Sequence, residues 1–88
     1  MGQERYLNHP IFGMLYLVSP ASEGRDVYAT LYAQRMFFLV TNQPRGAEFE
    51  VIPYLDARHY AEKHISLCRR DLSPDQNLWE ELFRQTFT

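Results

Sequence analysis

The sequence predicts an α+β fold, a small and strongly bent antiparallel β-sheet or barrel followed by two C-terminal helices. Three observations carry this expectation. The first half of the chain holds four short apolar runs rich in aromatic and β-branched residues, punctuated by Pro, Gly and Asn. Beyond Pro53 the apolar spacing lengthens from two residues to three or four. The chain has 88 residues, enough to bury one hydrophobic core and not two.

The elements follow in order. "FGMLYLV" (12–18), "VYATLYA" (27–33), "MFFLVT" (36–41) and "AEFEVI" (47–52) read as strands, joined by "SPASEGRD" and "NQPRG". The last strand alternates, with Ala47, Phe49 and Val51 on one face and Glu48 and Glu50 on a wet one. Short strands with tight connections suit a bent sheet or SH3-like barrel whose edges are closed or covered. A helix from about Leu55 to Arg70 follows from the recurrence of Ala57, Ala61, His64 or Ile65, and Cys68, with Arg69 and Arg70 opposing its dipole in the last turn. "SPDQ" (73–76) starts a second helix: Ser73 caps, Pro74 fits the first helical position, and Gln76 completes a capping box. Its stripe is Leu78, Trp79, Leu82, Phe83 and Phe87.

The run "TLYAQRMFFLV" (30–40) is apolar on both sides of Gln34-Arg35. A two-residue loop there groups Val27, Ala29, Leu31, Ala33, Met36, Phe38 and Val40 on a core side. Tyr28, Thr30, Tyr32, Phe37, Leu39 and Thr41 then lie opposite. Such turns need positive φ, costing a non-glycine residue about 1–2 kcal/mol, so a three-residue loop or a bent continuous strand is equally open. A slip of one residue puts Tyr32 with Met36 and Phe38 instead. Either the helical hairpin covers the second face through Trp79, Phe83 and Phe87, leaving Arg35 a solvated turn residue, or the ribbon is displayed to a partner. Tyr and Arg are the types enriched at binding hot spots.

Composition narrows the classes. Hydrophobic residues at 45% and aromatics at 15% fit a folded globule rather than a disordered tail. Net charge is −2, and each half is nearly balanced (four basic and five acidic residues through Ile52, five and six beyond), which disfavours autonomous nucleic-acid binding. The single cysteine, Cys68, leaves no internal disulfide and suits a reducing compartment. With no membrane-length apolar run and no cationic leader into one, a soluble cytoplasmic protein is expected. His64 and Cys68, four apart on one helical face, invite a metal site or thiol–imidazole pair. Only two ligands are local and His59 lies off that face, so a buried thiol beside an ordinary histidine is the stronger reading. His9 before Pro10 reads as a structural residue of an extended or turn segment. Arg69 and Arg70 suit a helix terminus better than a phosphate site. No nucleophile–base–orienter set marks an enzyme.

"YLNHPIFGMLY" (6–16), "ATLYAQRMFFLV" (29–40), "CRRD" (68–71) and "FRQTF" (83–87) closely resemble the PipX family of small PII-interacting proteins of cyanobacteria. The resemblance covers nearly the whole chain. It implies a Tudor-like, KOW-related β-domain over residues 1–53, a helical hairpin over 54–88, and no enzymatic activity. It implies exchange between the signalling protein PII when 2-oxoglutarate is scarce and the transcription activator NtcA, a CRP-like regulator, when it is abundant. DNA is then met only through NtcA, and there is no membrane partner. The chain itself carries no cofactor, 2-oxoglutarate binds the partners, and the helices are open to further regulators. Family interface positions that match are Glu4, Tyr6, Phe12, Tyr32, Gln34, Arg35, Met36 and Phe38. Departures lie in "SPASEGRD", in Pro53-Tyr54 where the family tends to have Gly-Arg, and in the first helix outside its ends. Two other classes compete: an RNA- or ribosome-associated KOW-type module, which needs a basic face, and an aromatic cage for methylated side chains built from Tyr28, Tyr32 and Phe37.

Overall fold

The computed structural model describes residues 5–32 and 34–87. Five strands, β1 (Tyr6–His9), β2 (Gly13–Ser22), β3 (Arg25–Thr30), β4 (Phe37–Gln43) and β5 (Gly46–Ile52), precede two helices, α1 (Tyr54–Arg70) and α2 (Gln76–Phe87). The strands form one antiparallel meander in chain order. The sheet curls into a half-barrel. Its curl brings the two edge strands toward each other, so that the ring of His9 in β1 lies 4.9 Å from that of Phe49 in β5.

Both faces of this sheet are apolar, and each is covered differently. Inside the curl, Leu15, Leu17, Tyr28, Phe38 and Val40 form one core, with Leu7, Phe12, Met36, Phe49 and Trp79 packed against it. On the other face Val18, Val27, Ala29, Phe37, Leu39 and Ile52 meet Ala57 and Ala61 of α1 and Phe87 of α2. The buried stripe of α1 is Ala57, Ala61, Ile65 and Cys68, as the sequence spacing predicts. Two alanines at the contact keep the helix close to the sheet. Phe87 then stacks on Phe37 with centroids 5.4 Å apart, and the Tyr54 hydroxyl donates to the Phe87 carbonyl at 3.1 Å. The helical hairpin thus covers one face through Phe83 and Phe87, whereas Trp79 turns to the other core.

The structure corrects several details. β1 was not among the expected strands; it exists because Tyr6 to His9 pair with Tyr16 to Gly13. Most of the 19–26 stretch, expected as a connection, is strand, and only Glu23 and Gly24 turn, with Gly24 at φ 76°. Register shifts between Leu17 and Ser19 and between Pro20 and Ser22 let β2 bend with the curl while accommodating Pro20. β3 and β4 pair Ala29 with Phe37 and Tyr28 with Phe38. A two-residue turn at Gln34-Arg35 is therefore absent: the connection runs from Leu31 to Met36. Val27 and Ala29 share a face with Phe37 and Leu39, the parity of the slipped register. The second helix starts at Gln76, and the capping box is not made. The Ser73 hydroxyl accepts from the Asp75 amide at 3.3 Å, while the Gln76 side chain donates to Glu80 at 3.0 Å. Between the helices Leu72 takes φ 53°, and the Ser73 amide donates to the Cys68 carbonyl at 2.9 Å, closing α1 with a Schellman turn. Among the described residues, no helix is long and apolar enough to cross a membrane.

The β1–β2 turn is fixed by a side chain. His9 Nδ1 accepts hydrogen bonds from the amides of Ile11 at 3.0 Å and Phe12 at 3.2 Å. Because Nδ1 accepts, the ring proton sits on Nε2. The same ring lies 5.0 Å from Phe12 and 5.1 Å from Phe38. His9→Ala is expected to cost about 1–3 kcal/mol in urea unfolding, from two lost backbone bonds and the ring contacts. His9→Asn, whose side-chain oxygen can still accept from the turn, should recover part of the loss.

Candidate functional site

With both sheet faces covered, the apolar ribbon of the sequence is mostly core, and what it displays is the connection between β3 and β4. Tyr32 there is 82% exposed, the second most exposed large hydrophobic side chain of the described residues after Leu72. An exposed tyrosine can only be a defined feature if its backbone is held. Thr30, wholly buried at the end of β3, does this. Its hydroxyl donates to the Gln34 carbonyl at 2.9 Å and accepts from the Met36 amide at 2.9 Å. Its amide donates to the Met36 carbonyl at 3.0 Å. The Leu31 amide adds a bond to the Met14 carbonyl of β2 at 3.0 Å. The connection is thereby tied at Leu31, Gln34 and Met36.

Arg35 is exposed, and its guanidinium donates to the Tyr16 hydroxyl at 2.7 Å. Arginine has no acceptor, so Tyr16 accepts there and can give its own proton to the Thr86 hydroxyl, 2.9 Å away near the end of α2. The guanidinium carbon is 5.5 Å from the Tyr16 ring centroid, but the short bond to the hydroxyl sets the geometry. The chain Arg35–Tyr16–Thr86 ties the loop to the last helix across the face of β2.

The expected site residues separate into three groups. Tyr6, 54% exposed, is paired with Tyr16 across β1 and β2 and so stands beside Arg35; with Tyr32, Gln34 and Arg35 it forms the exposed group. Phe12 and Met36 are half-buried against the inner core and support the surface from beneath. Phe38 does not reach the surface: it is 1% exposed and belongs to that core. Glu4 lies outside the described residues. Sequence reasoning missed Thr30 and Tyr16. A buried threonine at a strand end and a tyrosine mid-strand carry no local sign that they hold backbone four to six positions on, or a side chain nineteen positions on.

The aromatic cage is overturned. Tyr28 is in the inner core and Phe37 in the outer one, so with Tyr32 at the surface the three rings surround no common pocket. His64 and Cys68 do meet, with Nε2 and Sγ 3.4 Å apart, but the thiol is buried and Trp79 packs edge-on against the imidazole at 5.2 Å. Among the described residues, no group of three or more His, Cys, Asp or Glu side chains is placed to hold a metal ion. Burial lowers the His64 pKa below its ordinary value.

A half-barrel presenting a pinned, tyrosine-tipped loop is the geometry of a protein-docking module, in which hot-spot side chains stand on a rigid support. Comparison with protein families gives the particular one. Residues 3–87 match the model for PipX, PII-interacting protein X, and the chain belongs to that family. It is a family of PII-interacting regulatory proteins rather than a known enzyme family. A search of curated proteins gives no match.

Thr30→Val keeps the shape of the side chain and removes the hydroxyl. It is expected to cost about 0.5–2 kcal/mol by removing the hydroxyl bonds to the part-buried Met36 amide and the Gln34 carbonyl, and to speed amide hydrogen exchange at Met36 with little change at Leu15 or Val40. For His64, a folded pKa below the unfolded value of about 6.5 means that the unfolded chain binds the proton first. Stability from this group is complete above that value and falls as pH drops below it. His64→Gln should flatten the pH dependence of the melting temperature between about pH 7.5 and 5.

Proposed function

We propose that the protein is a non-enzymatic cytoplasmic adaptor that exchanges between PII at low 2-oxoglutarate and NtcA at high 2-oxoglutarate, and so co-activates nitrogen-regulated transcription. The observation that supports a shared docking edge is the presentation of Tyr32, exposed to 82%, on a loop whose backbone the buried Thr30 holds. Tyr32 supplies ring area with a hydroxyl at its rim, and Arg35 beside it supplies planar donors for carbonyls and carboxylates. Tyr6 extends the same surface.

One surface used by two hosts makes their binding mutually exclusive, and the protein becomes a messenger whose partition is set outside it. An effector shifts such a partition only through differential affinity for the states it connects. On this reading 2-oxoglutarate acts on PII and on NtcA, weakening the first complex and supporting the second, while this chain binds neither effector nor DNA directly. The test is a binding titration with each partner, with and without 2-oxoglutarate. The expected result is opposite responses to the effector and competition between the partners. Tyr32→Ala should cost about 2 kcal/mol, roughly thirtyfold in affinity, in at least one complex with an unchanged melting temperature. A ternary complex of PII, NtcA and one copy of this chain rules the reading out.

A further inference from the structure

Beside the pinned loop lies a groove of about 320 Å³ between the β3–β4 connection and α2. Leu31 and Leu82 line it on either side, Tyr6 and Tyr16 lie along it, and Arg5 and Arg35 complete the lining. Among the described residues it has no acidic lining group, and neither arginine takes part in an ion pair. The contrast with the groove between α1 and α2 is informative. That one also carries two arginines, but Arg69 is matched by Glu80 at 3.0 Å and Arg84 by Glu81 at 2.6 Å. Its charges are internally neutralised. Among the described residues, the groove beside the loop has two arginines, two tyrosines and apolar walls and no counter-charge.

We propose that this groove receives an aspartate or glutamate side chain of PII, with the aliphatic part of that residue or its neighbour against Leu31 and Leu82. The inference rests on the reading of the 31–36 loop as the docking edge, with which the groove is continuous through Arg35. Two arginines lining one open site favour a carboxylate, which guanidinium groups bind through paired N–H donors. The bond already made by Arg35 to Tyr16 uses one donor and leaves the others of its fork available. Arg5 is the more discriminating position. Its backbone carbonyl accepts from the Leu17 amide at 2.8 Å, which any residue there preserves, while its side chain is committed to no other described group.

The experiment is a titration of the full chain against PII at low and moderate salt, with wild type, Arg5→Gln, Arg5→Lys, Arg45→Gln and Tyr32→Ala. Arg5→Gln is expected to weaken binding about tenfold at low salt and to reduce its salt dependence, with Arg5→Lys between it and wild type. Arg45→Gln, which removes a cation from the exposed β4–β5 turn, should leave affinity within twofold. Pairing Arg5→Gln with neutral replacements of PII surface carboxylates should find one whose effect is lost in the double mutant. The proposal is overturned if Arg5→Gln binds as wild type with the same salt slope, if it loses no more than Arg45→Gln, or if no carboxylate on PII couples to it. Tyr32→Ala separates the two readings. If it weakens binding while Arg5→Gln does not, the groove assignment fails and the docking loop stands. If neither weakens it, both fail together.

Discussion

A sheet that is apolar on both faces is the constraint from which the rest of this structure follows. Five strands cannot leave Leu15, Tyr28 and Phe38 on one side and Val27, Phe37 and Leu39 on the other in water. The chain resolves this with two different covers. Curling folds the first set onto itself and brings His9 to Phe49. The helices, through Ala57, Ala61 and Phe87, lie over the second. The irregularities of β2 belong to the same solution, since a curled meander needs extra residues where a strand turns the corner.

Covering both faces decides what remains outside. Little of the aromatic content is displayed, and the conspicuous exceptions on the sheet side are Tyr32 on the β3–β4 connection and Tyr6 on the neighbouring edge. Thr30 turns that connection from a tether into a support, because its hydroxyl satisfies a carbonyl and an amide that would otherwise need water. A segment whose backbone is already held loses less conformational freedom in any complex it enters. Tyr16 adds a mechanical link, with one hydroxyl serving both Arg35 and Thr86, so the position of the loop and the end of α2 are parts of one hydrogen-bonded set.

Local patterning made much of this legible. The α1 stripe of Ala57, Ala61, Ile65 and Cys68 was readable because helical burial follows a fixed period, and β4 and β5 because their ends are marked by Asn42 through Gly46. β1 was not legible, because four residues with a polar histidine give no apolar alternation; their strand state comes from pairing with β2 and from rings elsewhere in the chain. The candidate site divides in the same way. Tyr32, Gln34 and Arg35 were visible as a polar interruption in an apolar run, whereas Phe38 sits in the core and Tyr16 and Thr30 carried no signal.

By itself, then, the sequence determined the change from strands to helices near Pro53, the two helices, the aromatic content of the cores and the motifs that mark a PII-interacting family. Those depend on neighbours within a few positions, where period and turn chemistry act directly. Only the tertiary structure decided the register of β3 against β4, which face each aromatic ring joins, and which side chains stay in water. A one-residue change of pairing exchanges the two faces of a strand, and when both faces are apolar the local pattern favours neither.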